Sequence, residues 1–140
     1  MTERYVPVET EVGVLRGRTV FLDEITHDYR EGSLFLRGSL FTEEGEELVY
    51  GMKFLGIIFF SMVELDLYKY RGLSAFDEIV DSKLVESFKD LDSARKITPG
   101  HRHFRLITYD DAIQVVCSDY VLSVRHRVTT GPSSSISSNG

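Results

Sequence analysis

Hydrophobic and polar residues alternate with a period of two over most of the chain, which is the pattern of half-buried β-strands. Alternating segments cover residues 19–25 and 33–42, and Gly32 directly precedes the second of them. Residues 43–47 form a charged turn around Gly45, which suits a hairpin connection. Strands that follow one another through short turns predict an antiparallel meander.

The longest strand-like segment covers residues 48–70, and its apolar pattern changes phase after Gly56. Alternate residues up to Phe54 are apolar in one phase, and those from Ile57 onwards are apolar in the other. The segment is too long for one ordinary strand. We therefore predict a bulge or strong bend near Gly56 that returns both halves to the same core. A similar change of phase in the last strand predicts another bulge near Ser118.

A helical stripe is found within residues 73–91, where Leu84 and Phe88 share one face and Ser82 is a candidate N-cap. The predicted fold class is mainly β (α+β). It is an antiparallel meander forming a strongly bent sheet, half-barrel or barrel, with one principal helix on a face or at an end. The core is expected to contain Phe54, Ile57, Phe59, Leu106, Val115 and Leu122.

The chain of 140 residues has the size of one domain. We predict an N-terminal extension over residues 1–17 and a single β-rich domain over residues 18–128. Residues 129–140 are rich in Ser and Gly and nearly without apolar groups, so they lack the means to offset their own ordering entropy. This segment is therefore predicted to be a disordered tail.

Charge and cysteine usage narrow the functional classes. The formal net charge of -6 argues against a nucleic-acid partner, which would need a basic face on the protein. The longest apolar run, residues 54–63, is shorter than the roughly 20 residues of a membrane-spanning helix, so we expect no membrane association. The single cysteine excludes an internal disulfide. Together with an N-terminus that shows no secretory pattern, it predicts a cytoplasmic protein.

Two histidines and two carboxylates come closest to a metal-ligand pattern. His101 and His103 share one side of a predicted strand, and Asp110 and Asp111 follow that strand. A His-x-His pair with a carboxylate makes a three-ligand set for zinc, but no further Cys or His stands at ligand spacing. We therefore expect no metal ion and no cofactor. The Tyr-Asp-Asp turn is interpreted as a motif whose carboxylates bind local backbone amides.

The sequence indicates no catalytic residue. Cys117 lies between apolar neighbours in a predicted strand, and nothing adjacent to it would lower its pKa, so we expect a small buried hydrophobic residue. No Gly-x-Ser-x-Gly motif is present. Glu64 and Asp66 interrupt an apolar strand, and two interpretations are kept for them. They mark either the solvent face of a half-buried sheet or a pair of carboxylates in a barrel mouth.

The order of the elements resembles that of a group of bacterial proteins. Residues 101–111 (HRHFRLITYDD) follow the predicted helix, and a terminal strand passes through residues 115–120. Over residues 18–124 the pattern of His-x-Phe, strand, Tyr-Asp-Asp and strand is similar to small bacterial β-rich proteins of unknown function. Some of these are encoded beside polymorphic toxins as candidate immunity proteins. The resemblance implies a protein-binding function without a catalytic motif.

Two functional hypotheses follow. The first is a non-enzymatic protein-binding module, with an immunity protein that occludes a basic toxin domain as its concrete version. Its acidic binding surface is expected to include Glu43, Glu44, Glu46, Glu47, Glu64 and Asp66. The alternative is a small-ligand-binding or enzymatic β-barrel with a pocket near His103, Tyr109, Asp111 and Glu64.

Overall fold

The structure of the chain, a computed structural model, describes residues 2–68 and 74–126. Within these ranges there are one α-helix, α1 (Lys83–Leu91), and a 3₁₀ turn over Leu65–Leu67. The strands are β1 (Arg4–Pro7), β2 (Glu9–Thr10), β3 (Gly13–Val14), β4 (Val20–Asp28), β5 (Ser33–Phe41), β6 (Glu47–Leu55), β7 (Phe59–Glu64), β8 (Phe76–Val80), β9 (Arg102–Ile107), β10 (Asp111–Cys117) and β11 (Asp119–His126).

The strands form two main antiparallel sheets. The five-stranded sheet has the order β1-β8-β9-β10-β7, and the four-stranded sheet has the order β11-β6-β5-β4. Strands β2 and β3 form a small separate hairpin. The fold is therefore mainly β with antiparallel pairing and one helix, as predicted. Both main sheets keep open edges, so the described residues form two bent sheets and no closed barrel.

Two long strands pass from one sheet into the other and join them at a corner. Strand β6 continues into β7, and β10 continues into β11, while β6 pairs with β11 and β7 pairs with β10. At the corner, residues 56–58 lie opposite residues 117–118. The amide of Ile58 donates to Val116 O and the amide of Ser118 donates to Leu55 O, each at 2.9 Å. Three residues lie opposite two, so the pairing shifts by one residue at this corner, next to both Gly56 and Ser118, where the sequence predicted irregularities.

The bulge at Ser118 keeps one face of the strand directed to the core. Before it Val115 and Cys117 belong to the core, and after it Tyr120 and Leu122 pack against the same core, although they have the opposite parity. A bulge adds one residue to one strand, so it reverses the alternation and returns the next apolar residues to the same side. The change of phase seen in the sequence is thus explained.

The corresponding explanation for β6 and β7 is wrong. Phe54 faces the core between the sheets, but Phe59 is half-buried on the opposite face of the five-stranded sheet, where its ring centroid lies 5.4 Å from that of Phe88 in α1. The five-stranded sheet is covered on both faces, so its strands carry apolar residues in both phases. The predicted core residues Phe54, Leu106 and Val115 are buried, whereas Ile57 and Leu122 are only partly buried against the core.

An aromatic cluster fills the space between the sheets. The rings of Phe54, Phe76, Phe104 and Tyr120 meet with centroid separations of 5.2–6.5 Å. Phe76 enters this cluster from β8, a strand that lies inside the segment 73–91 predicted to hold the helix. The helix is present, and Ser82 caps it by accepting from the amide of Val85 at 3.1 Å. However, it begins only at Lys83.

Part of the predicted N-terminal extension belongs to the folded domain. Within the predicted extension 1–17, β1 pairs with β8, and Leu15 is a buried core residue. The predicted tail 129–140 lies outside the described residues. The described part of the chain contains no helix long and apolar enough to cross a membrane.

Substitution of Gly56 by alanine is expected to destabilise the corner. Gly56 has a φ of +62°, and an added Cβ would lie 2.3 Å from Ser118 Oγ. Gly45 is a matched control, because its φ is +84° but an added Cβ meets no atom within 4 Å. Urea unfolding should show a loss of about 1 kcal/mol for Gly45→Ala, the cost of the left-handed backbone alone, and at least about 2 kcal/mol for Gly56→Ala. Equal losses of unfolding free energy would show that the close approach of the added Cβ to Ser118 does not affect stability.

Candidate functional site

The buried charged and titratable side chains, which are the best candidates for chemistry, lie together on the outer face of the five-stranded sheet. In register, Asp77 of β8 stands opposite Arg105 of β9, and Arg105 stands opposite Gln114 of β10. Opposite residues of an antiparallel pair lie on the same face, and His103 shares that face because it is two residues from Arg105. Asp77, His103 and Arg105 are each at most 3 % exposed to solvent. Charged and titratable groups buried to this degree need partners.

His103 is held by a hydrogen bond at each ring nitrogen. Its Nε2 lies 2.8 Å from Gln114 Oε1, and its Nδ1 lies 2.7 Å from Ser82 Oγ. We assign the proton to Nε2, because a carbonyl oxygen accepts. The Ser82 hydroxyl then donates to Nδ1 while it accepts from the amide of Val85. Burial lowers the pKa of His103, which favours this neutral imidazole.

Asp77 and Arg105 form a buried ion pair beside His103. The Arg105 guanidinium donates to Asp77 Oδ2 and stacks on the ring of Tyr5, with 4.3 Å from its central carbon to the ring centroid. Burial acts to lower the pKa of Arg105, but hydrogen bonds with Tyr68 and Asp77 outweigh it and raise the pKa. The arginine therefore stays charged, and its partners compensate for the loss of water.

Ser82, His103 and Gln114 have the order of a nucleophile, a base and an orienting group. The Ser82 hydroxyl, however, already serves as the N-cap of α1, and Ser82 and His103 are only 6 % and 3 % exposed. A substrate would have to displace the start of α1 to reach Ser82 Oγ. The arrangement fixes the helix to the sheet, and sequence analysis did not identify it because its three members are far apart along the chain.

The other candidates for metal or thiol chemistry have structural contacts. His101 Nδ1 accepts from the amide of Thr98 at 2.9 Å in the turn before β9. Burial raises the pKa of the Cys117 thiol to about 12, so the reactive thiolate is scarce at neutral pH. Over residues 2–68 and 74–126, no group of three or more His, Cys, Asp or Glu side chains is placed to hold a metal ion.

Three of the four residues of the alternative pocket lie at one end of the molecule. Glu64 stands directly opposite Asp111 in the pairing of β7 with β10. Tyr109 precedes Asp111 and stacks on Phe21 with ring centroids 5.1 Å apart. His103 stands opposite Val116, five residues further along β10 than Asp111, which corresponds to roughly 17 Å. The structure therefore separates His103 from the other three.

Two backbone hydrogen bonds join neighbouring connections to the beginning of β4, and a third joins the end of β7 to one of these connections. The amide of Phe41 donates to Thr19 O at 3.0 Å, the amide of Tyr109 donates to Val20 O at 2.7 Å, and the amide of Leu65 donates to Asp110 O at 2.8 Å. These bonds bring the β5–β6 turn, the β9–β10 turn and the end of β7 to one end of the two sheets. We call this the acidic end, because it contains Glu43, Glu44, Glu46, Glu47, Glu64 and Asp66.

The acidic end combines exposed carboxylates with exposed apolar side chains. Of the six predicted residues only Glu47 is half-buried, and the other five are exposed. Phe41, Tyr109 and Leu67 are 39 %, 41 % and 79 % exposed at the same end. Arg16 offsets part of the negative charge through an ion pair with Glu43 at 3.5 Å, and His126 Nδ1 lies 2.6 Å from Glu46 Oε2. Sequence analysis found the carboxylates but not the apolar residues among them.

A shallow groove runs along the outer face of the four-stranded sheet. It has a volume of about 620 Å³ and crosses Gly51, where the ring of Phe35 covers the strand at a distance of 3.2 Å from the position of an added Cβ. Its basic residues are Arg37, Lys53 and Arg125, of which Arg37 pairs with Glu24 at 2.6 Å. A glycine inside a strand was the available sequence signal for this close packing.

No protein-family model matches this chain, and no curated protein or solved structure matches it. The resemblance of residues 18–124 to small bacterial β-rich proteins accordingly stays a prediction. The residues themselves are the basis for assigning a function, and the structure offers two kinds of surface. One is the acidic end, and the other is the outer face and free edge of the four-stranded sheet.

The lowered pKa of His103 predicts a loss of stability in mild acid. The unfolded chain binds a proton at His103 near the usual pKa of about 6.5, but the folded protein binds it only at lower pH. The contribution is complete above that value and is lost as the pH falls from it towards the folded value, at up to about 1.4 kcal/mol per pH unit. Urea unfolding at pH 7.5 and 5.5 should show a smaller difference for His103→Gln than for the unmodified protein. An unchanged difference would contradict the assignment.

Proposed function

We propose that this chain is a non-enzymatic, cytoplasmic protein-binding module whose acidic end binds a basic protein surface. The observation that supports this most is the convergence of the two separate acidic segments, residues 43–47 and 64–66, at one end of the fold. The exposed side chains of Phe41 and Tyr109 lie among them. An apolar centre surrounded by charged groups is the usual composition of a protein interface.

Clustered carboxylates act on a partner before and after contact. Their summed negative potential steers a cationic protein towards the acidic end and raises the association rate. After contact, carboxylates accept charge-assisted hydrogen bonds from lysine and arginine side chains. The β5–β6 turn extends beyond the paired ends of its strands, Phe41 and Glu47, so Glu43 and Glu44 are placed to make the first contacts.

The non-enzymatic part of the proposal is supported by the state of the polar groups. His103 has both ring nitrogens engaged, Arg105 is paired with Asp77, and the Cys117 thiol is buried with a raised pKa. The Ser82–His103 hydrogen bond holds the start of α1 to the five-stranded sheet, and the Arg105–Asp77 pair joins β9 to β8 within that sheet. The groups that are free to meet another molecule are on the surface instead.

The concrete version of the proposal is an immunity protein of a bacterial toxin. A nuclease-like or otherwise basic toxin domain carries lysine and arginine side chains around its active site, and the acidic end would cover them and exclude the substrate. This mechanism needs no catalytic residue in the immunity protein. It also predicts strong salt dependence, because ions screen the attraction between exposed charges.

Charge reversal at the acidic end should slow the association with a basic partner. The probe is the purified product of the gene adjacent to the gene of this protein, tested by surface-immobilised kinetics at low salt and by rescue of growth. Glu43→Lys with Glu44→Lys is expected to reduce the association rate constant about tenfold or more.

Glu86→Lys with Asp90→Lys on α1 is the matched control. It changes the net charge by the same amount, and Glu86, like Glu43, has one exposed ion pair, here with Lys89 at 3.5 Å. The control should retain the association rate and the growth rescue. Equal slowing by both variants would show that only net charge matters. Full activity of the Glu43 and Glu44 variant would eliminate the acidic end as the binding surface.

A further inference from the structure

Strand β11 forms an open edge of the four-stranded sheet. Among the described residues it pairs with β6 alone, in unbroken register from Asp119 to His126. The other edge strand of this sheet, β4, has a register shift between Leu22 and Glu24. Bulges of this kind protect edges from further pairing. Strand β11 has no bulge within its eight residues and contains neither proline nor glycine, so it is open to another strand.

The orientation of the backbone shows which amides are available at this edge. The amide of Tyr120 donates to Asp119 Oδ1 at 2.8 Å and therefore points away from β6. Amides alternate in direction along a strand, so those of Leu122 and Val124 point to the open edge as well. An added antiparallel strand must place its own outward-directed amides opposite these three residues.

The side chains of β11 are complementary to those of a second β11 in reverse direction. With two copies of Leu122 facing each other, Tyr120 faces Val124 of the second copy, which satisfies the direction of the amides. In the same register Asp119 faces Arg125 of the second copy, and the pair occurs twice because of the two-fold symmetry. Val121 and Ser123 face each other between these charged pairs.

We propose that two copies of this chain associate through antiparallel pairing of their β11 strands, centred on Leu122, so that the two four-stranded sheets become one continuous sheet of eight strands. The charges select this register. The next registers that keep the amides compatible are reached by sliding the second strand by two residues. In one direction this places Arg125 opposite Val121, and in the other it places Asp119 opposite Ser123. Opposite charges in directly facing positions stabilise an antiparallel pair.

The exposure of the strand agrees with a partner at this edge. Val121 is 49 % exposed, and Tyr120, Leu122 and Val124 are only partly buried, although they face the core side. Arg125 has no ion pair with any residue in the described ranges. Pairing would cover these apolar side chains, give Arg125 a carboxylate and replace the local contact of Asp119 with its own backbone neighbour.

The proposed dimer does not rest on the proposed protein-binding function. It adds a second association that leaves the acidic ends accessible. The His126 end of β11 lies beside the acidic end, through the contact of His126 with Glu46. Because the paired strands run in opposite directions, the two acidic ends lie at opposite ends of the dimer and stay accessible. The groove on the outer face also reaches the two-fold axis, since Val121, Ser123 and Arg125 belong to its lining.

Sedimentation equilibrium over a range of protein concentrations tests the dimer and its register. The full chain should form a species of twice its mass of 16.0 kDa. Asp119→Arg alone and Arg125→Asp alone place like charges opposite each other, and each is expected to raise the dimer dissociation constant about tenfold or more. The double variant with both changes exchanges the charges and should restore the dimer. Glu24→Arg on β4 is the control and should leave the dimer unchanged.

Circular dichroism shows whether each variant keeps the fold, and cysteine cross-linking provides a second measurement. Val121 and Ser123 face each other in the proposed register, so Val121→Cys with Ser123→Cys should form an intermolecular disulfide on mild oxidation. Cross-linking by Ser123→Cys alone would instead indicate the shifted register and overturn the centre at Leu122. A monomer at all concentrations, or a dimer that only Glu24→Arg disrupts, would overturn the proposal.

Discussion

The corner formed by β6–β7 and β10–β11 is the constraint on which the rest of the structure depends. Two paired strands cross from one sheet to the other, and the offset of residues 56–58 against 117–118 turns them without breaking their pairing. The turn faces the two sheets towards each other around the aromatic cluster. It also places the end of β7 beside the β9–β10 turn, where Leu65 donates to Asp110 O, and this contributes to the acidic end. Because β11 leaves the corner as the last strand, the same geometry creates the open edge.

Coverage of the five-stranded sheet on both faces decides where chemistry is available. A sheet between an aromatic core and a helix excludes water from its polar residues, so each of them needs a partner within the protein. Asp77 with Arg105 and Ser82 with His103 meet this need. These polar side chains therefore contribute to stability, and the two proposed binding surfaces lie elsewhere, on the four-stranded sheet and at the turns. This division of roles agrees with a protein that binds others through its surface.

The local features of the fold were predictable and the long-range features were not. The alternation of Val115 and Cys117 against Tyr120 and Leu122 predicts the bulge at Ser118, because alternation is a property of neighbouring residues. The sequence placed β8 within the segment predicted to hold the helix. Asp77 and Glu78 are stabilised in a strand by ion pairs with Arg105 and Arg102 of β9, which are distant in the sequence. The partners of His103 are likewise 21 and 11 residues away. The acidic residues were visible as two segments, but their convergence depends on contacts with the start of β4.

Native-state hydrogen exchange tests most directly whether the corner unites the two sheets. The informative amides are those of Ile58 and Ser118, which donate across the corner to Val116 O and Leu55 O. If the corner is the central constraint, both amides exchange only through global unfolding. Their free energies of opening then equal the free energy of unfolding by urea at each denaturant concentration. The result that would contradict the account is exchange of these amides at a much lower free energy than the amides in the middle of β5 and β6, since the two sheets would then open separately.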